Sequence, residues 1–114
     1  MEDRDRTREL SLDILRDLGG RPAVAFHEGL VAEGIRSRLE AFGLQVRQDG
    51  FGNLVTRLPG DAEGQPPVAL VAHMDHPGFE AVEVSGQGVT ARALGGVPPV
   101  SLSAEVPVQL VMPD

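Results

Sequence analysis

The chain has 114 residues, 41% of them apolar and 24% charged, with no cysteine. That composition fits one ordinary globular domain and excludes a disulfide framework, a thiolate zinc site and a cysteine nucleophile. The ten basic residues, all Arg, face 17 acids for a net charge of −7, so no basic stripe exists for nucleic-acid phosphates or anionic membranes.

The N-terminus, Met-Glu-Asp-Arg-Asp-Arg-Thr-Arg, mixes both charge signs and leads into no apolar run. It does not read as a signal peptide, and no stretch approaches the ~18 apolar residues of a membrane helix. A cytoplasmic protein is the expectation. Residues 6–18 are predicted helical, because Leu10, Ile14, Leu15 and Leu18 share one face and Gly19-Gly20 follows. Residues 27–42 are predicted as a second helix with a stripe of Val31, Ile35, Leu39 and Phe42, closed by Gly43. Gly34 inside it costs roughly 1 kcal/mol against Ala.

The pattern then turns extended. Leu44 and Val46 alternate with Gln45 and Arg47, Asp49-Gly50 signals a tight turn, and Asn53 to Leu58 reads as the returning strand. A polar loop spans 61–67. Val68-Ala69-Leu70-Val71-Ala72 has no alternation, which predicts a strand covered on both faces. Beyond it, Phe79–Val84, Val89–Ala93 and Val106–Val111 are short strand candidates, with Gly86-Gln87-Gly88 as a hairpin turn and no helix expected after residue 43. This divides the chain into an α/β part, 1–78, and an all-β part, 79–114. The second part is too short for a barrel or sandwich and reads as the beginning of something larger.

The stretch that could carry chemistry is His73-Met74-Asp75-His76-Pro77-Gly78, at the C-terminal end of the predicted buried strand. Open α/β sheets place ligands there. On an extended backbone His73 and Asp75 face the same side. An imidazole is a good zinc ligand, and a nearby carboxylate commonly fixes its tautomer. A hydrogen-bonded pair that merely caps a strand fits the same spacing. A catalytic zinc needs about three protein ligands, and spacing does not supply the others. His27 reads as a helix-start residue, Glu28 as a first-turn acid favoured by the helix dipole, and Glu80 and Glu83 as a solvated strand edge. No Gly-x-Ser-x-Gly elbow or phosphate loop with Lys is present.

Taken in order, two helices, Val46-Arg47-Gln48-Asp49-Gly50-Phe51-Gly52-Asn53-Leu54-Val55, Val68 to Phe79 with His73-Met74-Asp75, and Leu94-Gly95-Gly96 resemble the N-terminal third of the co-catalytic di-zinc aminopeptidases. The resemblance is to the tetrahedral, or glutamyl, aminopeptidase family in particular, and covers most of 10–111. It implies an α/β zinc-exopeptidase-like helix-sheet-helix domain, followed by the first strands of an inserted β domain. His73 would bind one of two zinc ions, with cobalt or manganese as alternatives. Asp75 would orient His73. The family's other ligands and its general-base Glu have no counterpart here, so the 114-residue chain is expected to be inactive by itself. The family usually has Glu then Ile at the positions of His76 and Pro77, which leaves His76 as a candidate substrate or extra metal contact.

The expected reaction of the complete enzyme is hydrolysis of a peptide or small amide, and the expected assembly at full length is a homo-oligomer. Two alternatives are a related N-acyl amino acid deacylase and an inactive remnant that serves as a small binding module. A plain acidic scaffold is the residual reading.

Overall fold

The computed structural model describes residues 2–60, 64, 66, 68–103 and 105–112. Helix α1 runs Glu2–Gly19 and helix α2 Gly29–Ala41. Strands β1 (Val46–Gln48) and β2 (Leu54–Thr56) form one antiparallel hairpin, and β3 (Gly78–Ser85) and β4 (Gly88–Leu94) a second. A 3-10 turn follows at Pro99–Leu102, where no helix was expected.

Helix α1 starts earlier than its apolar stripe predicts. Thr7 and Ser11 bond back to the carbonyls of Asp3 and Thr7, which satisfies their hydroxyls inside the helix. The stripe itself is only partly used. Ile14 and Leu18 are half-buried, whereas Leu10 and Leu15 are exposed. What joins α1 to α2 is polar. Arg38 donates to Asp17 at 2.7 Å and to Asp13 at 3.0 Å. Arg21 donates to Asp17 and to the Leu30 carbonyl. Gly34 faces the end of the Arg21 side chain, which a Cβ there would displace.

The end of α2 is fixed as its sequence suggests. Gly43 has φ +76° and donates to the Glu40 carbonyl, while Leu44 donates to that of Leu39. These two bonds make a Schellman cap, which needs a residue tolerant of positive φ. The chain then leaves into β1.

Two predicted strands are corrected. Val68 to Ala72 forms no strand, with Val68 88%, Leu70 94% and Val71 92% exposed. Val106–Val111 is likewise irregular and exposed. A strand exists through its ladder, and each hairpin here closes on itself. No neighbouring strand among the described residues receives either segment. The buried apolar core among the described residues is accordingly small: Ala23, Val31 and Ala32.

Hairpin β3–β4 is amphipathic by register. Phe79 pairs Ala93, Ala81 pairs Ala91 and Val84 pairs Val89 on one face. Glu80–Arg92, Glu83–Thr90 and Ser85–Gly88 occupy the other. An irregularity between Ala81 and Glu83 shifts the parity, which keeps Val84 on the apolar side.

Candidate functional site

The segment 72–78 is held in place from the other end of the chain. His76 N–H donates to the Ala23 carbonyl at 2.8 Å, and Val24 and His76 form an isolated parallel bridge. The Ala23 N–H donates to His76 Nε2 at 3.2 Å. His76 Nε2 is therefore an acceptor, so Nδ1 carries the proton and donates to the Pro77 carbonyl at 3.0 Å. Both ring nitrogens of His76 are thus engaged by backbone. Gly78 follows because space is lacking: a Cβ there would overlap the Val24 side chain.

This anchor presents His73 and Asp75. His73 Nδ1 lies 2.9 Å from the Asp75 carbonyl oxygen and 3.1 Å from Asp75 Oδ1. Both are acceptors, so Nδ1 carries the hydrogen. Nε2 is left with its lone pair, and it has no partner among the described residues. The His73 side chain is 84% exposed. A zinc-binding imidazole commonly has this arrangement, with one nitrogen oriented by a carboxylate and the other presented. The donor type at His73 fits a zinc ion. The rest of a coordination sphere is not assembled: among the described residues, no three His, Asp or Glu side chains come together as a metal site.

His73 and Asp75 line a cavity of about 240 Å³. Its other walls include Glu28 before α2 and Phe51 and Asn53 at the β1–β2 tip. The tip is organised by Asp49, whose carboxylate accepts from Phe51 N, Asn53 N and Asn53 Nδ2 at 2.8 to 2.9 Å. Those bonds hold the Asp49 carboxyl below its usual range, the Asn53 side chain contributing most. Gly52 reverses the chain at φ +92°. Arg36 ties the hairpin to α2 through Gln48 Oε1 at 2.8 Å. A larger open groove of about 850 Å³ lies between the end of α2 and the hairpin, and its charged lining among the described residues is Arg47 and Arg57.

Three residues behave differently from their sequence reading. Glu28 sits at the α2 N-cap position without capping it, and its carboxylate accepts from the Phe26 N–H. His27 precedes the helix, and its Nε2 lies 3.2 Å from Glu80 Oε1. Glu80 also pairs with Arg92. Arg92 first, then His27, hold the Glu80 carboxyl below its usual range. Glu80 is thus a tie between the hairpin β3–β4 and the loop before α2, not a free solvated edge. Spacing could not show this, because the partners lie 53 residues apart.

No family profile matches the chain, and no solved structure matches it. No helix among the described residues is long and apolar enough to cross a membrane. One curated protein is similar: glutamyl aminopeptidase of Lactococcus lactis subsp. cremoris (strain MG1363), 31% identical over 95 residues. The alignment takes in 82% of this chain and 26% of that protein, so the chain spans about a quarter of the relative's length. The chain is therefore a distant relative of an aminopeptidase.

Proposed function

We propose that this sequence contributes the His73 portion of a metallo-aminopeptidase site of the tetrahedral, or glutamyl, aminopeptidase type. In this reading the chain supplies the beginning of an α/β catalytic domain and the first strands of an inserted β domain. The observation that carries the proposal is the His73–Asp75 pair. Asp75 fixes the Nδ1–H tautomer and His73 Nε2 opens to solvent beside a cavity. The distant likeness to an aminopeptidase supports it.

In this reading Asp75 is a positioning residue and His73 is one metal ligand. A bound zinc ion supplies Lewis acidity, which polarises a carbonyl and acidifies water. Asp75 keeps the imidazole aimed and raises its basicity. The Ala23–His76 hydrogen bonds hold the loop that carries both, which is a backbone-anchoring role for His76. The substrate class is a peptide or small amide. The glutamyl preference belongs to the relative, of which this chain spans about a quarter, and is not transferred.

The test uses the native polypeptide that carries this sequence, recovered from its own cells. Chelator-sensitive hydrolysis of aminoacyl p-nitroanilides, lost on His73→Ala, is the expected result. Asp75→Asn is expected to weaken metal affinity by about 10–100-fold, the usual effect of losing an orienting carboxylate. Full hydrolysis by the His73→Ala protein would overturn the proposal.

A second reading has its own support. The exposed apolar run Val68 to Val71 and the exposed face of β3–β4 are surfaces that suit a partner, as in a small binding module. Absence of hydrolysis together with a defined bound protein would favour that reading.

A further inference from the structure

The polar side chains around the His73 cavity are engaged by their neighbours, and Asn53 is engaged at one end only. Gln48 is tied at both ends, accepting from Arg36 at Oε1 and donating from Nε2 to the Gly52 carbonyl. Glu28 accepts from the Phe26 N–H, and Asp75 accepts from His73 Nδ1. Asn53 donates to Asp49 twice, from its backbone N–H at 2.9 Å and from Nδ2 at 2.8 Å. The Asp49 N–H answers by donating to the Asn53 carbonyl at 3.0 Å. An ionised carboxylate only accepts, so the group facing Asp49 is the NH2 and the amide is fixed one way round. Asn53 Oδ1 is the end turned from Asp49. It has no partner among the described residues, and Asn53 lines the cavity together with His73.

The geometry points to Asn53 as the residue whose Oδ1 accepts an N–H from the amino terminus of the substrate, with Asp49 as its positioning residue. The inference rests on the aminopeptidase-like reading of this cavity. The side-chain donors that line it, His73 Nδ1 and the amide groups of Gln48 and Asn53, are already engaged. What remains open on Glu28, Asp75 and Asn53 is acceptor oxygen, so an occupant has to bring donors. An ammonium brings three. Nothing in this requires the cavity to be free of metal: an ion belongs at His73 Nε2, and Asn53 sits on a different wall, at the β1–β2 tip. Its oxygen is neutral, so it orients an amine without adding a further anion beside the metal. Without Asp49 the amide can turn and offer its NH2 to a donor, which is repulsive.

The test uses the native polypeptide that carries this sequence. Asn53→Ala is expected to raise KM for L-leucine p-nitroanilide roughly tenfold, the scale of a lost hydrogen bond to a charged group, with kcat within about twofold. Zinc content is expected to stay at the parent level. By calorimetry, L-leucinol should bind Asn53→Ala more weakly by the same factor. Isohexyl alcohol, which lacks only the amine, should bind both proteins alike. Asp49→Asn is expected to raise KM too. Asp49→Asn/Asn53→Asp exchanges donor and acceptor while keeping an oxygen at the cavity, and should recover part of that loss. Equal weakening of both alcohols, an unchanged KM in Asn53→Ala, a parent that binds neither alcohol, or a double variant no better than Asp49→Asn would overturn the inference. An amine-specific loss in Asn53→Ala alongside full hydrolysis by His73→Ala would sink the metal reading alone.

Discussion

At the scale of single residues, Gly78 and Val24 set the position of the His73 loop. A Cβ at Gly78 would overlap the Val24 side chain, so Gly78→Ala forces the 72–78 segment away from the 23–24 loop. We expect a cost of about 1–3 kcal/mol, as for other overpacked contacts. Thermal denaturation of Gly78→Ala and of Gly78→Ala/Val24→Ala checks this, because the smaller partner should restore most of the loss. If the double variant is no more stable than the single one, steric exclusion is not the reason for glycine. That His73 and Asp75 could come together was legible in the sequence, since residues i and i+2 share one side of an extended backbone. The engagement of both His76 nitrogens was not legible. It depends on Ala23, more than fifty residues away, and nothing around Ala23 marks it as a partner.

At the scale of elements, the α1–α2 junction is electrostatic. Arg38 first, then Arg21, hold the Asp17 carboxyl below its usual range, and Asp17 and Asp13 raise that of Arg38. The sign follows directly. A carboxyl depressed in the folded state contributes stability above its unfolded value, and that contribution is lost as pH falls through the folded value. The helix pair should therefore loosen below about pH 4, the ordinary Asp range. Asp17→Asn is expected to melt lower than the parent at pH 7, with the difference shrinking as pH falls below about 4. A constant difference across that range, followed by circular dichroism, would contradict the assignment. Glu80 titrates in the same sense, so acid should also release β3–β4 from the loop at His27. These groups are exposed, so each pair contributes modestly and high salt should weaken the effect.

The hairpins were the most legible elements. Asp49-Gly50 and Gly86-Gln87-Gly88 are local turn chemistry and require no distant partner. The parity shift in β3 was not legible, because an extra residue in a strand leaves no marker in an apolar run such as Ala81-Val82. Val68 to Ala72 shows the opposite limit. Its composition suits a buried strand, but burial needs covering surfaces that the described residues do not supply. Exposed apolar strands bind hydrophobic dyes and associate. Val84→Asp/Val89→Asp, on the apolar face of β3–β4, is expected to lower ANS fluorescence and raise solubility. Unchanged dye binding would place the exposed apolar surface elsewhere.

At the scale of the whole molecule, size gives a consistent account. The radius of gyration is 18.4 Å, whereas a compact domain of this length has about 13 Å. The accessible surface is 10140 Å², against roughly 6000 Å² expected for a folded monomer of this mass. The apolar residues buried among the described ones, Ala23, Val31 and Ala32, cannot by themselves offset the entropy of ordering such a chain. We expect the 114-residue chain alone to melt broadly in calorimetry, and a single sharp transition would contradict this. The local geometry at His73 depends on less: the Ala23–His76 bonds, Gly78 and the Asp49-fixed tip.

The central proposal is that His73, rather than His27 or His76, is the metal ligand. The most direct measurement is a zinc titration of the full chain followed through the imidazole resonances of His27, His73 and His76. The account predicts that zinc perturbs His73 first, at Nε2, and that His73→Ala removes the response while Asp75→Asn weakens it. His76, held by Ala23 and Pro77, and His27, held by Glu80, should follow only at higher zinc. An equal response from all three histidines, or none at His73, would contradict it.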